Sequence, residues 1–133
     1  MTGLGTAAVA ELARVPVRLA QTFDEAGMVR PERGQGGRRT YDLESALAVM
    51  VLAELRERGV GPKKLRRVAA ALPADLMDME FAVFDGRTLR TCGYAETLLS
   101  LVKPLVGPLW VVALEDKQRR LRLAVVGDLP PVQ

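Results

Sequence analysis

Helix-breaking residues set the scale of the first half of this 133-residue chain. Between Thr6 and Pro73 apolar residues recur at helical spacing. Pro16, Gly27, the Gly34/Gly36/Gly37 cluster, Gly59 and Pro73 cut that pattern into four short helical pieces. Helices this short are not stable alone in water, so the pieces must pack on one another.

The first piece, Thr6 to Ala13, is rich in small residues and suits close helix packing. Pro16 sits at the first turn of the second piece, where its missing N–H costs nothing. Leu19, Ala20, Phe23 and Ala26 form the apolar stripe of that helix, which turns Val17, Arg18, Gln21, Thr22 and Glu25 outwards. Gly27 supplies the left-handed residue that ends it. Arg and Gln on an exposed helix can pair with guanine and adenine edges in a major groove, and they equally suit a plain solvated face.

The segment Arg30 to Tyr41 is a glycine-rich turn with four arginines, expected as a two-stranded wing whose cations neutralise phosphate; a solvated linker is the alternative. Asp42 is a good N-cap for a third helix running to about Arg58, with Leu43, Ala46, Leu47, Met50, Leu52 and Leu55 inward. A fourth helix starts at Gly61-Pro62 and turns Lys63, Lys64, Arg66 and Arg67 outward. Its basic start is either a phosphate grip or a solvated face. The order of elements is that of a helix-turn-helix followed by a wing.

The run Thr6–Leu72 resembles the winged-helix domain of MerR-type transcription regulators. The likeness is carried by Val15-Pro16-Val17-Arg18 in the turn and by Phe23-Asp24-Glu25-Ala26-Gly27-Met28-Val29-Arg30-Pro31. Gly37-Arg38-Arg39-Thr40-Tyr41 resembles the family's wing closure, and Leu52 to Val60 its glycine-ended long helix. The resemblance implies double-stranded DNA as partner and a homodimer, with Val17, Arg18 and Gln21 at base edges and Arg38, Arg39 and Tyr41 on phosphates. One position departs: Ala20-Gln21 stands where the family commonly has Leu-Arg, which removes a cation.

Composition supports a regulator over an enzyme. The chain has no histidine and one cysteine, Cys92, so triad chemistry, an internal disulfide and a cysteine-rich zinc site are excluded. No catalytic constellation, metal or cofactor is expected. The net charge of +3 is unevenly spread: residues 1–72 hold twelve Lys/Arg against eight Asp/Glu, and residues 73–133 seven against eight. With no run of about 18 apolar residues and no signal-like N-terminus, a soluble cytoplasmic protein is the expectation.

The second half leaves the family pattern, because nothing after Pro73 has the heptads of a dimerising coiled coil. The expectation is an α+β chain: a winged helix over 1–73 and a small β-rich α+β module over 74–133. Met79–Phe84 and Arg87–Thr91 flank Asp85-Gly86 as a hairpin. Tyr94 to Val102 reads as a helix, Leu109–Leu114 as a buried strand and Leu121–Val126 as a last strand. So small a module gains from a second copy or a partner; the alternative is a compact α+β appendage that only packs on the winged helix. Phe81, Val83, Trp110 and Val112 are its candidate interface residues, with Trp110 most simply read as a core residue. The leading functional reading is a sequence-specific DNA-binding regulator. The alternative is an antitoxin that represses its own operon and sequesters a toxin enzyme through the second half.

Overall fold

The computed structural model describes residues 3–93, 95–102 and 107–127. Two short helices, α1 (Thr6–Ala13) and α2 (Val17–Glu25), meet through the turn Arg14–Pro16, where Arg14 adopts a left-handed conformation (φ 59°). That conformation lets the amides of Arg14 and Val15 bond the last carbonyls of α1, at Glu11 and Ala10. α2 ends as its glycine dictates. Gly27 has φ 75°, its N–H bonds Asp24 O, and Met28 N–H bonds Phe23 O, the pair of contacts that closes a Schellman motif.

The wing holds one strand more than expected. β2 (Glu32–Arg33) and β3 (Arg39–Tyr41) pair antiparallel around the Gly34–Arg38 turn. The two-residue strand β1 (Leu4–Gly5) adds to the other side of β3, giving the order β1-β3-β2.

α3 (Leu43–Glu57) is the axis of the molecule. Asp42 caps it, its carboxylate accepting the Ser45 N–H at 2.7 Å. Eight of its fifteen residues are buried, including Val49, Val51 and Ala53 outside the single stripe expected from sequence. A helix apolar on more than one side must be covered on more than one side. α1 and α4 (Pro62–Ala71) pack against it from the first half; the 3-10 turn Leu76–Asp78, β6 (Trp110–Ala113) and α6 (Glu115–Gly127) do so from the second. The apolar cluster therefore runs unbroken from Leu4 to Leu121 and does not stop at Pro73.

The second sheet has the order β5-β4-β6, with β4 (Phe81–Phe84) between β5 (Leu89–Cys92) and β6, all antiparallel to it. α5 (Ala95–Val102) joins β5 to β6 in sequence and packs along β5. The hairpin turn is centred on Gly86-Arg87, and Phe84 pairs with Leu89. The Asp85 carboxylate moves it there by accepting the N–H groups of Arg87 and Thr88 at 2.8 and 2.7 Å. Those bonds hold the carboxyl below its ordinary pKa.

The last strand expected over Leu121–Val126 is instead part of helix α6. Alternation within six residues misled, because the deciding pattern is longer. Leu114, Gln118, Leu121 and Val125 recur at spacings of four, three and four, and all four lie in or against the core. Gln118 holds its place on this face because its side-chain amide donates to the carbonyls of Leu76 and Met79. Further ties fasten the second half to the first. Arg58 donates to Val111 O at 2.8 Å, Arg120 to Leu12 O at 3.0 Å, and Lys117 pairs with Glu54.

Candidate nucleic-acid interface

α2 buries Ala20 and Phe23 against the core and leaves its first turns open. Val17 and Arg18 are exposed and Gln21 is half-buried. Residues i, i+1 and i+4 of a helix share one side, so these three form a single outward strip. The Thr22 hydroxyl is spent on the helix itself, donating to Arg18 O at 2.9 Å. Ala26, expected in the apolar stripe, is exposed at the helix end.

The wing arginines divide into two kinds. Arg30 and Arg38 are exposed and have no acidic partner among the described residues. Arg33 and Arg39 converge on one carboxylate, that of Asp24 on α2. Arg33 Nη2 lies 2.7 Å from Asp24 Oδ2, and Arg39 Nε donates to the same oxygen. The hydrogen bond to Asp24 is the main cause that raises the Arg39 pKa above its ordinary value. Arg39 Nη2 also approaches Glu25 Oε1 at 3.9 Å.

Tyr41 departs from its expected role. The resemblance put it on a phosphate, but its side chain is fully buried and belongs to the core. Its hydroxyl has no well-formed hydrogen bond among the described residues. Burial raises its pKa, and the nearby Thr6 hydroxyl acts in the opposite sense. β3 alternates, so with Arg39 and Tyr41 turned inward Thr40 between them takes the opposite side.

Lys63 and Lys64 are exposed at the start of α4, as are Arg66 and Arg67 further along it. Lys64 Nζ lies 6.0 Å from the centre of the Trp110 ring, at the outer range of a cation–π contact. The candidate interface residues of the second half are mostly consumed within the chain. Val83 and Val112 are buried, and Trp110 is half-buried against Phe84 with ring centroids 5.7 Å apart. Phe81 is half-buried. Among the described residues, the large apolar side chains that the second half presents to solvent are others: Leu99 on α5, 67% exposed, and Leu123 on α6, 62% exposed.

Sequence reasoning read Arg33 and Arg39 as free wing cations and missed their pairing with Asp24. A signal was present, because Asp24 and Glu25 close α2 at the end where the helix dipole disfavours carboxylates. An acid kept in that position needs a cation from elsewhere in the fold. Cys92 is buried at the end of β5, and no group of His, Cys, Asp or Glu among the described residues is arranged to hold a metal. No helix among them is long and apolar enough to cross a membrane. Residues 6–72, the segment containing α1 to α4 and the wing, match the model of the MerR HTH family regulatory proteins. No curated protein matches the chain.

Proposed function

Because the chain belongs to the MerR HTH regulatory family, we propose that it is a sequence-specific transcription regulator that binds double-stranded DNA as a homodimer. α2 lies in the major groove, with Val17, Arg18 and Gln21 at the base edges. Arg38 on the wing and Lys63 and Lys64 at the start of α4 neutralise phosphates and set the register. Tyr41 supports this arrangement from the core, and no cofactor takes part. The observation that carries the reading is the outward strip on α2 beside a wing whose Arg30 and Arg38 have no acidic partner among the described residues. Cations left unpaired at a surface are those that release counterions on meeting phosphate.

The test is fluorescence anisotropy with the DNA upstream of its own gene against a scrambled duplex, across a salt series. The native duplex is expected to win by on the order of a thousandfold, with affinity falling steeply as salt rises. Arg18→Ala should erode the preference, and Arg38→Ala should weaken both duplexes about equally. Equal affinity of the wild-type protein for both duplexes would sink the reading.

A second reading assigns the second half a protein partner, in the manner of an antitoxin that represses its own operon and sequesters a toxin enzyme. The exposed Leu99 and Leu123 favour it. Copurification of an unrelated small protein encoded beside this one, lost on Leu99→Asp, would support it. Recovery of the chain with itself alone would remove it.

A further inference from the structure

We propose that Asp24 is a positioning residue that locks the wing to the recognition helix and, by withholding Arg33 and Arg39 from phosphate, sets how strongly the protein prefers its own site over other DNA. This rests on the DNA-binding reading above.

Arg33 of β2 lies directly opposite Arg39 of β3. Gly34 N–H bonds Arg38 O at 2.8 Å, so the next pair outward, Arg33 with Arg39, falls at the non-hydrogen-bonded position where facing side chains lie closest. Two guanidinium groups placed there repel each other and would splay so short a ribbon. Asp24 resolves the conflict. Its side chain is 8% exposed, and one of its oxygens accepts from both arginines. Since Asp24 stands on α2 and the arginines on the two strands, one carboxylate joins three elements. The wing then cannot swing independently of the helix that carries Val17, Arg18 and Gln21.

The same contact divides the cations of the wing by task. Arg30 and Arg38 are available to phosphate, which every DNA sequence offers equally. Arg39, 19% exposed, and Arg33, 51% exposed, are held back. Freeing them would add attraction common to all sequences and nothing that discriminates among bases. A loosened wing would also let the protein settle on phosphates with α2 out of register.

The test compares wild type with Asp24→Asn, which keeps the shape and removes the charge, in the same anisotropy series on native and scrambled duplexes. Asp24→Asn should bind the scrambled duplex more tightly, lower the native-to-scrambled ratio about tenfold, and steepen the salt slope by up to about 0.9 for each arginine released. Arg39→Gln loosens the wing without freeing a cation at that position, so it should lower the ratio without steepening the slope. Hydrogen exchange on the free proteins gives a readout that needs no DNA. The wing amides around Gly34 should exchange several-fold faster in both variants, while amides of β4 stay at the wild-type rate. A slope and ratio unchanged in Asp24→Asn, equal slopes in the two variants, or unchanged wing exchange would overturn the proposal. Wild-type protein blind to sequence would instead remove the DNA reading and the specificity claim with it, leaving exchange to decide the mechanical tie alone.

Discussion

The described residues contain two three-stranded antiparallel sheets, each a central strand with a partner on either side, fastened by different forces. In the wing, β2 and β3, two and three residues long, carry arginines that pair with Asp24 and Glu25 of α2. In the second sheet, strands of four residues bury Ala82, Phe84 and Val112 in the common apolar cluster, and β6 lies against α3. Apolar burial is insensitive to salt and spread over many contacts, whereas ion pairs near the surface are screened and local. Two sheets of three strands can thus differ in what loosens them. The wing is tied to α2 through charge, and the sheet is held through apolar packing.

The most damaging way to probe that contrast is Phe84→Ala. The ring is fully buried and stacks near Trp110, so its removal should cost about 3–5 kcal/mol in urea unfolding. Because both halves share α3, the transition should stay single and move as a whole. Exchange that rises in β4–β6 alone would break the claim of one core. A milder probe is salt. Raising NaCl from 0.1 to about 1 M shortens the screening length from about 10 to about 3 Å. Wing amides should then exchange faster in the free protein, and those of β4 should not.

The smallest expected effect sharpens the comparison at the point where the wing becomes apolar. Tyr41→Phe removes a buried hydroxyl without a well-formed partner, so stability at pH 7 should change by less than about 1 kcal/mol, towards greater stability. The raised phenol pKa fixes the sign at high pH. The folded state keeps the proton after the unfolded chain has released it, so wild type holds full stability below the unfolded value of about 10 and loses it as pH rises towards the folded one. Tyr41→Phe should lack that alkaline decline. Its DNA affinity should match wild type; a loss on both duplexes would return Tyr41 to the phosphate.

Local chemistry made much of this legible from the sequence. Asp42, Gly27 and Gly59 end their helices as their backbone and side-chain preferences require, and the polar strip of α2 followed from a clean helical period. What stayed hidden depended on distant partners. Strand β1 is two residues long and exists only because β3 offers it an edge. The extra buried sides of α3 were written in the apolar run Ala46–Ala53, but which elements cover them cannot be read from α3 alone. α6 was mistaken because Gln118 sits on its apolar side, satisfied by carbonyls about forty residues away in the chain. At the candidate site, exposure of Val17 and Arg18 followed from periodicity. The capture of Arg39 and the burial of Tyr41 are tertiary facts, fixed by Asp24 and by the packing of β3.

The sharing of α3 has a consequence for how this protein can be cut, transplanted or inherited. The stretch recognisable as a family unit ends at residue 72, yet the unit that folds is longer. A fragment cut there would carry α3 stripped of β6 and α6, and apolar side chains uncovered on it would invite aggregation. The DNA-reading head is therefore not a portable cassette. Grafted onto another protein it would need a new cover for that helix, and in this one any change to the second half is felt, through α3, by the first.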